Sequence, residues 1–80
     1  MTTQRIIWLI QDYLISQGVI NVFDFRYTDR GVEIFDMAQQ TVVGSFTEQG
    51  IPFRTMDQLV KACKWYRKYR EHFKNYLNYL

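Results

Sequence analysis

Few residues of this 80-residue chain are equipped for bond-making chemistry. His72 is the only histidine and Cys63 the only cysteine, so no His/Cys metal set, CxxC pair or HExxH helix can be assembled. Gly18, Gly31, Gly44 and Gly50 stand too far apart to cradle a phosphate as a P-loop or a GxGxxG turn does. Glu33 and Asp36, with Asp24 nearby, are the acids to consider as a divalent-metal pair for a nuclease. Their odd spacing along a strand sends the two side chains to opposite faces, and they read as ordinary solvent-facing acids. His72 alone reads as a surface or stacking residue. With no convergent acid and base, the expectation is a protein that is not an enzyme and uses neither metal nor cofactor. One cysteine allows no intrachain disulfide, and Cys63 lies in apolar helical text, so an inert packed thiol is expected.

The chemistry that remains is binding, and it gathers in the last twenty residues, KACKWYRKYREHFKNYLNYL. On a wheel of about 100° per residue, Leu59, Ala62, Cys63, Tyr66, Tyr69, Phe73, Tyr76, Leu77 and Leu80 fall on one broad apolar side, which reads as core. Lys61, Lys64, Lys68 and Asn75 collect opposite, with Trp65 and His72 along one border and Glu71 on the other. Lys61, Trp65, Lys68 and His72 are neighbours at i+3, i+4 and i+7. Ammonium groups neutralise phosphates, and rings beside them stack on a base or pack on a sugar. The expected nucleic-acid-binding set is therefore Lys61, Lys64, Trp65, Lys68 and His72, with Arg67 and Lys74 adding charge from the flanks. The plainer alternative is a solvated charged face with Trp65 sheltering under lysine stems.

Charge distribution sharpens the choice of partner. The formal net charge is only +2, but residues 1–53 carry three cations against six acids (−3) and residues 54–80 carry seven against two (+5). The basic part suits an anionic partner: nucleic acid, an acidic protein surface, or the acidic part of a second copy. A pI of about 8.8 lies below that of strong nucleic-acid modules, so affinity should be modest and salt-sensitive.

The elements that must position these residues follow from periodicity. Thr3 serves as N-cap for a first helix with Ile6, Ile7, Ile10, Tyr13 and Leu14 on its buried face, and Gly18 ends it. Trp8 points away from that stripe. Val19 to Tyr27 reads as a strand with Phe23, Phe25 and Tyr27 on one face and Val22, Asp24 and Arg26 on the other. Thr28 to Gly31 is a turn, Val32 to Met37 a second strand, and Thr41 to Phe46 a third. A capping box, Thr55 to Gln58, opens the last helix. The predicted fold is α+β: one 1–80 domain of order α-β-β-β-α, a three-stranded antiparallel meander with an N-terminal helix and a long C-terminal helix on one face. This order resembles that of the double-stranded-RNA-binding domain. The nearest text to that family's Lys-Lys-x-Ala-Lys motif, Val60-Lys61-Ala62-Cys63-Lys64, lacks the double lysine, and no residue role is transferred from it.

Length carries one further expectation. A helix over Met56 to Leu80 is about 37 Å long, whereas a seven-residue strand spans about 23 Å. The overhanging apolar stripe needs a cover, and a two-fold homodimer through Phe73, Tyr76, Leu77 and Leu80 supplies one. The apolar run Ile6 to Ile10 is too short for a signal core or a membrane span, so a cytoplasmic, membrane-free protein is expected. The favoured function is a small nucleic-acid-binding protein. The competing one is a protein-interaction module, such as an inhibitor or accessory factor of the kind phages and mobile elements encode, anchored by Trp8, Trp65 and Phe35.

Overall fold

Two adjacent threonines begin the first element, and the structure decides between them. A computed structural model describes the backbone of residues 1–77 and the side chains of residues 1–70. Helix α1 spans Thr3–Ser16, and Thr2, in extended conformation, caps it by accepting a hydrogen bond from the Arg5 amide at 3.2 Å. The expected cap, Thr3, is instead the first helical residue, because placing the cap one position earlier still buries Ile6, Ile7, Ile10 and Leu14 together. The far end closes with paired hydrogen bonds: the Val19 amide donates to Leu14 at 2.9 Å and the Gly18 amide to Ile15 at 3.0 Å. Gly18 takes φ +72° there, the left-handed residue this closure requires.

The strands form an antiparallel sheet in the order β1-β2-β3, with β1 at Phe23–Thr28, β2 at Gly31–Asp36 and β3 at Thr41–Phe46. The first strand starts later than its β-forming sequence suggests. Val19 and Val22 are buried as a linker, with Asn21 between them at φ +60°, so Val22 joins the core and does not take the outer face. Cross-strand pairing of Phe23 with Asp36, Phe25 with Ile34 and Tyr27 with Val32 puts these six on the helix-facing side. The outer side carries Asp24, Arg26, Glu33 and Phe35, where Arg26 bonds Asp24 at 3.1 Å and lies 3.9 Å above the Phe35 ring. Between β2 and β3 the register shifts: Ile34 pairs with Gly44 and Phe35 with Val42, leaving Val43 as a bulge.

Asp36 corrects an expectation. It is fully buried, not solvent-facing. Its carboxylate accepts from the Ala38 and Gln39 amides at 3.0 Å each and from the Gln39 side-chain amide at 2.9 Å, shaping the β2–β3 turn. A carboxylate can lie on the covered face here because short-range donors replace the lost water.

Helix α2 runs unbroken over Phe53–Leu77. It begins earlier than the Thr55 capping box suggests, its first turn closed by the Met56 amide donating to the Pro52 carbonyl at 3.1 Å. Thr55 is buried inside this turn and does not cap it: its hydroxyl donates to the Ser45 carbonyl of β3 at 3.0 Å. Both helices cover the same side of the sheet, and one core unites Ile6, Ile10 and Leu14 with Val32, Ile34 and Phe46 and with Leu59 and Cys63 of α2. Among the described residues no helix is long and apolar enough to cross a membrane.

Candidate nucleic-acid interface

The site is set by how closely α2 lies on β3. Gly44 faces the helix, and a Cβ built there would lie 2.6 Å from the Thr55 hydroxyl oxygen, so only glycine permits this approach. Seated on Gly44, the first half of α2 turns Arg54, Gln58, Lys61 and Trp65 toward the edge of β3. These positions recur at i, i+4, i+7 and i+11 and make one wall of a groove. Gln39, Thr41, Val42 and Val43 make the other wall, and the groove encloses about 440 Å³. Asp36 lies at its floor, with its oxygens engaged by the turn.

Electrostatics on α2 are one-sided. Among residues 53–70, Arg54, Lys61, Lys64, Arg67, Lys68 and Arg70 face a single acid, Asp57. Asp57 pairs with Lys61 at 3.0 Å, but both side chains are about half exposed or more, and such a pair adds little and exchanges readily for another anion. The Trp65 and Tyr69 rings meet at 5.3 Å between centroids, tilted by 47°, and the Lys68 ammonium sits 5.3 Å from the Tyr69 ring centre. Arg67 is tied back to the body of the protein, donating to the Gln17 side chain at the end of α1 at 2.6 Å.

The five residues expected at the site therefore divide. Lys61 and Trp65 share the groove. Lys64 and Lys68 are exposed on the same helix outside it. Trp65 is half-buried, packed at the rim, neither swallowed by the core nor displayed at the tip of the surface. The side chain of His72 lies outside the described residues, as do those of the dimer set Phe73, Tyr76, Leu77 and Leu80. Arg54, Gln58, Gln39 and Thr41 were not anticipated. The signal for Arg54 and Gln58 was present in their spacing with Lys61 and Trp65, but a helix begun at Thr55 leaves Arg54 outside the wheel. Gln39 and Thr41 come from a turn and a strand edge, which no helical pattern can place beside α2.

Cys63 is buried against this helix–sheet interface. Burial raises its thiol pKa above the ordinary value, with Asp36 adding in the same direction and the Arg67 charge opposing. The group is held as a neutral thiol, not a nucleophile. Among the described residues no group of three or more His, Cys, Asp or Glu side chains is placed to hold a metal ion.

A second groove lies at the opposite edge of the sheet, between α1 and β1. It encloses about 360 Å³ and includes Trp8, Asp12, Ile15, Ile20 and Phe25. Its lining is mostly apolar, with Gln11, Asp12 and Asn21 as the polar members, whereas the α2–β3 groove carries two cations, Arg54 and Lys61. No protein-family model, curated protein or solved structure matches the chain.

Proposed function

We propose that this protein binds nucleic acid along α2. Lys61, Lys64 and Lys68 contact phosphates, Arg54 adds a further cation, and Trp65 packs on a sugar or base, with His72 seven residues further along the sequence. The observation that carries the reading is the coincidence of the α2–β3 groove with the charge excess. A half-buried indole and two cations line a concave surface on a helix whose described exposed side holds one acid. Cations with an aromatic platform are the parts that sequence-tolerant nucleic-acid binding needs. The outer sheet face, with Asp24 and Glu33, is an unfavourable surface for phosphates, so the ligand follows the helix and not the strands.

The test is fluorescence polarisation with labelled single-stranded and duplex DNA and RNA at two salt concentrations. Binding that falls steeply as salt rises supports the reading. No change in polarisation at low salt with any of the four ligands removes it.

A second reading has its own observation. Trp8, Ile15 and Ile20 are 56%, 59% and 58% exposed around the α1–β1 groove, an apolar concentration that suits a protein partner. In that reading the chain is an interaction module, such as a small inhibitor or accessory factor from a phage or mobile element acting in a cytoplasm. The two readings are compatible, since the grooves lie at opposite edges of the sheet. Self-association is part of the proposal as well: Arg67, Lys68, Tyr69 and Arg70 of α2 are exposed, and the apolar positions expected to pair with a second copy, Phe73, Tyr76, Leu77 and Leu80, follow them in the sequence. Light scattering after gel filtration at micromolar concentration gives a dimer mass if so, and a monomer mass ends that part.

A further inference from the structure

We infer that the ligand of this face is single-stranded, with one unpaired base seated in the α2–β3 groove; the inference rests on the nucleic-acid reading above and deepens it. A base within a duplex is paired and stacked, and only its edges are reachable from outside. A concave slot walled by an aromatic ring takes a base that has been splayed out of the stack. The groove has that form. Trp65 lines its helix wall four residues beyond Lys61, and its ring meets that of Tyr69 at 5.3 Å between centroids, which limits its motion before any ligand arrives.

The polar groups are those that meet a base edge. Gln58 stands between Arg54 and Lys61 on the helix wall, and Gln39 and Thr41 stand across from it. Arg54 and Lys61 are seven residues apart, about 10 Å along the helix axis, so the two cations flank the slot and leave its middle to the amide. Gln39 is held in position by its bond to the buried Asp36 carboxylate at 2.9 Å. Side-chain amides and a hydroxyl both donate and accept, so the slot accommodates any base and gives weak sequence preference. A volume of about 440 Å³ is within the range of small-ligand sites. Lys64 and Lys68, outside the groove, take the phosphates that run on from the seated nucleotide.

The experiment compares two labelled single-stranded decamers of equal charge: a thymidine decamer, and one whose bases are replaced by abasic sugars. Polarisation is measured on the wild-type protein, and Trp65 emission on Trp8→Phe, which leaves one indole. Trp8 is 56% exposed, so this change spares the core. The expected result is about tenfold tighter binding of the decamer with bases, as stacking of one base contributes, together with quenching of Trp65. Equal affinities with unquenched Trp65 overturn the seated base while leaving phosphate binding intact. No polarisation change with either decamer overturns the nucleic-acid reading as well. Quenching by a blunt duplex equal to that by the thymidine decamer contradicts the requirement for an unpaired base.

Discussion

The Thr55 hydroxyl donates to the Ser45 carbonyl at 3.0 Å directly over Gly44, where an added methyl would lie 2.6 Å from the same hydroxyl oxygen and 2.8 Å from the Thr55 methyl. This pairing of a buried threonine with a strand glycine fixes the distance between α2 and β3, and so the width of the groove. Gly44→Ala is expected to destabilise the protein by about 1–3 kcal/mol, the usual range for overpacking. Thr55→Ala in the same background removes the two closest contacts and leaves only the residue-55 Cβ at 3.0 Å, so the two changes together cost less than their sum. Urea denaturation followed by circular dichroism measures both. A Gly44→Ala protein as stable as wild type would show that close approach does not seat the helix.

Asp36 should matter for the turn and, through it, for the groove. Asp36→Ala leaves the Ala38 and Gln39 amides without their acceptor, at about 1–3 kcal/mol. Asp36→Asn keeps one oxygen as an acceptor for those amides and is expected to cost less. In Asp36→Asn the new amide nitrogen can donate to a flipped Gln39 side chain, whereas Asp36→Ala leaves Gln39 without its anchor, so oligonucleotide affinity should fall in the same order as stability. Denaturation and polarisation on the same samples check the ranking.

Cys63 gives a pH prediction whose sign can be worked out. Its folded pKa is raised above the ordinary value of 9.0, so above that pH the unfolded chain releases the thiol proton while the folded chain still holds it. The unfolded state then binds fewer protons, and stability contributed by Cys63 is complete below pH about 9 and declines as pH rises through the folded pKa. Cys63→Ala removes that part of the slope. In the native state a thiol reagent at neutral pH should react slowly, and urea should release the reaction. Fast labelling of the folded protein would contradict the burial.

Much of this fold is legible in the sequence, because its strongest signals are local. The stripe of Ile6, Ile7, Ile10 and Leu14 specifies α1, and the alternation Val32, Ile34 against Glu33, Phe35 specifies β2. The errors fall where two local signals compete. Thr2 and Thr3 are equivalent as caps, and Thr55 with Gln58 has the form of a capping box although its hydroxyl is used across the interface. Asp36 reads as a surface acid because its donors come from a turn that only the folded register brings near. The α2–β3 groove is half legible for the same reason: Lys61 and Trp65 sit on one periodic element, while Gln39 and Thr41 reach it through strand pairing and a bulge.

Arg54 and Arg67 should behave differently despite equal charge. Arg54 lines the groove, so Arg54→Ala is expected to weaken oligonucleotide binding several-fold and leave stability within about 0.5 kcal/mol. Arg67 ties α2 to Gln17 of α1 at 2.6 Å, so Arg67→Ala should lower stability by about 1 kcal/mol and affect binding less. Parallel denaturation and polarisation measurements separate the two roles, and equal effects of both changes on binding would place no special weight on the groove.

The most direct test of binding along α2 is the salt dependence of affinity for one single-stranded decamer, compared between wild type and the Lys61/Lys64/Lys68→Ala variant. Every phosphate deprived of its lysine makes the slope of log affinity against log salt shallower by about 0.7 for a single strand. Binding along α2 predicts a slope shallower by about 2, with weaker binding at low salt, on a variant that still unfolds cooperatively. Parallel slopes of equal affinity would mean that these three lysines do not meet phosphates.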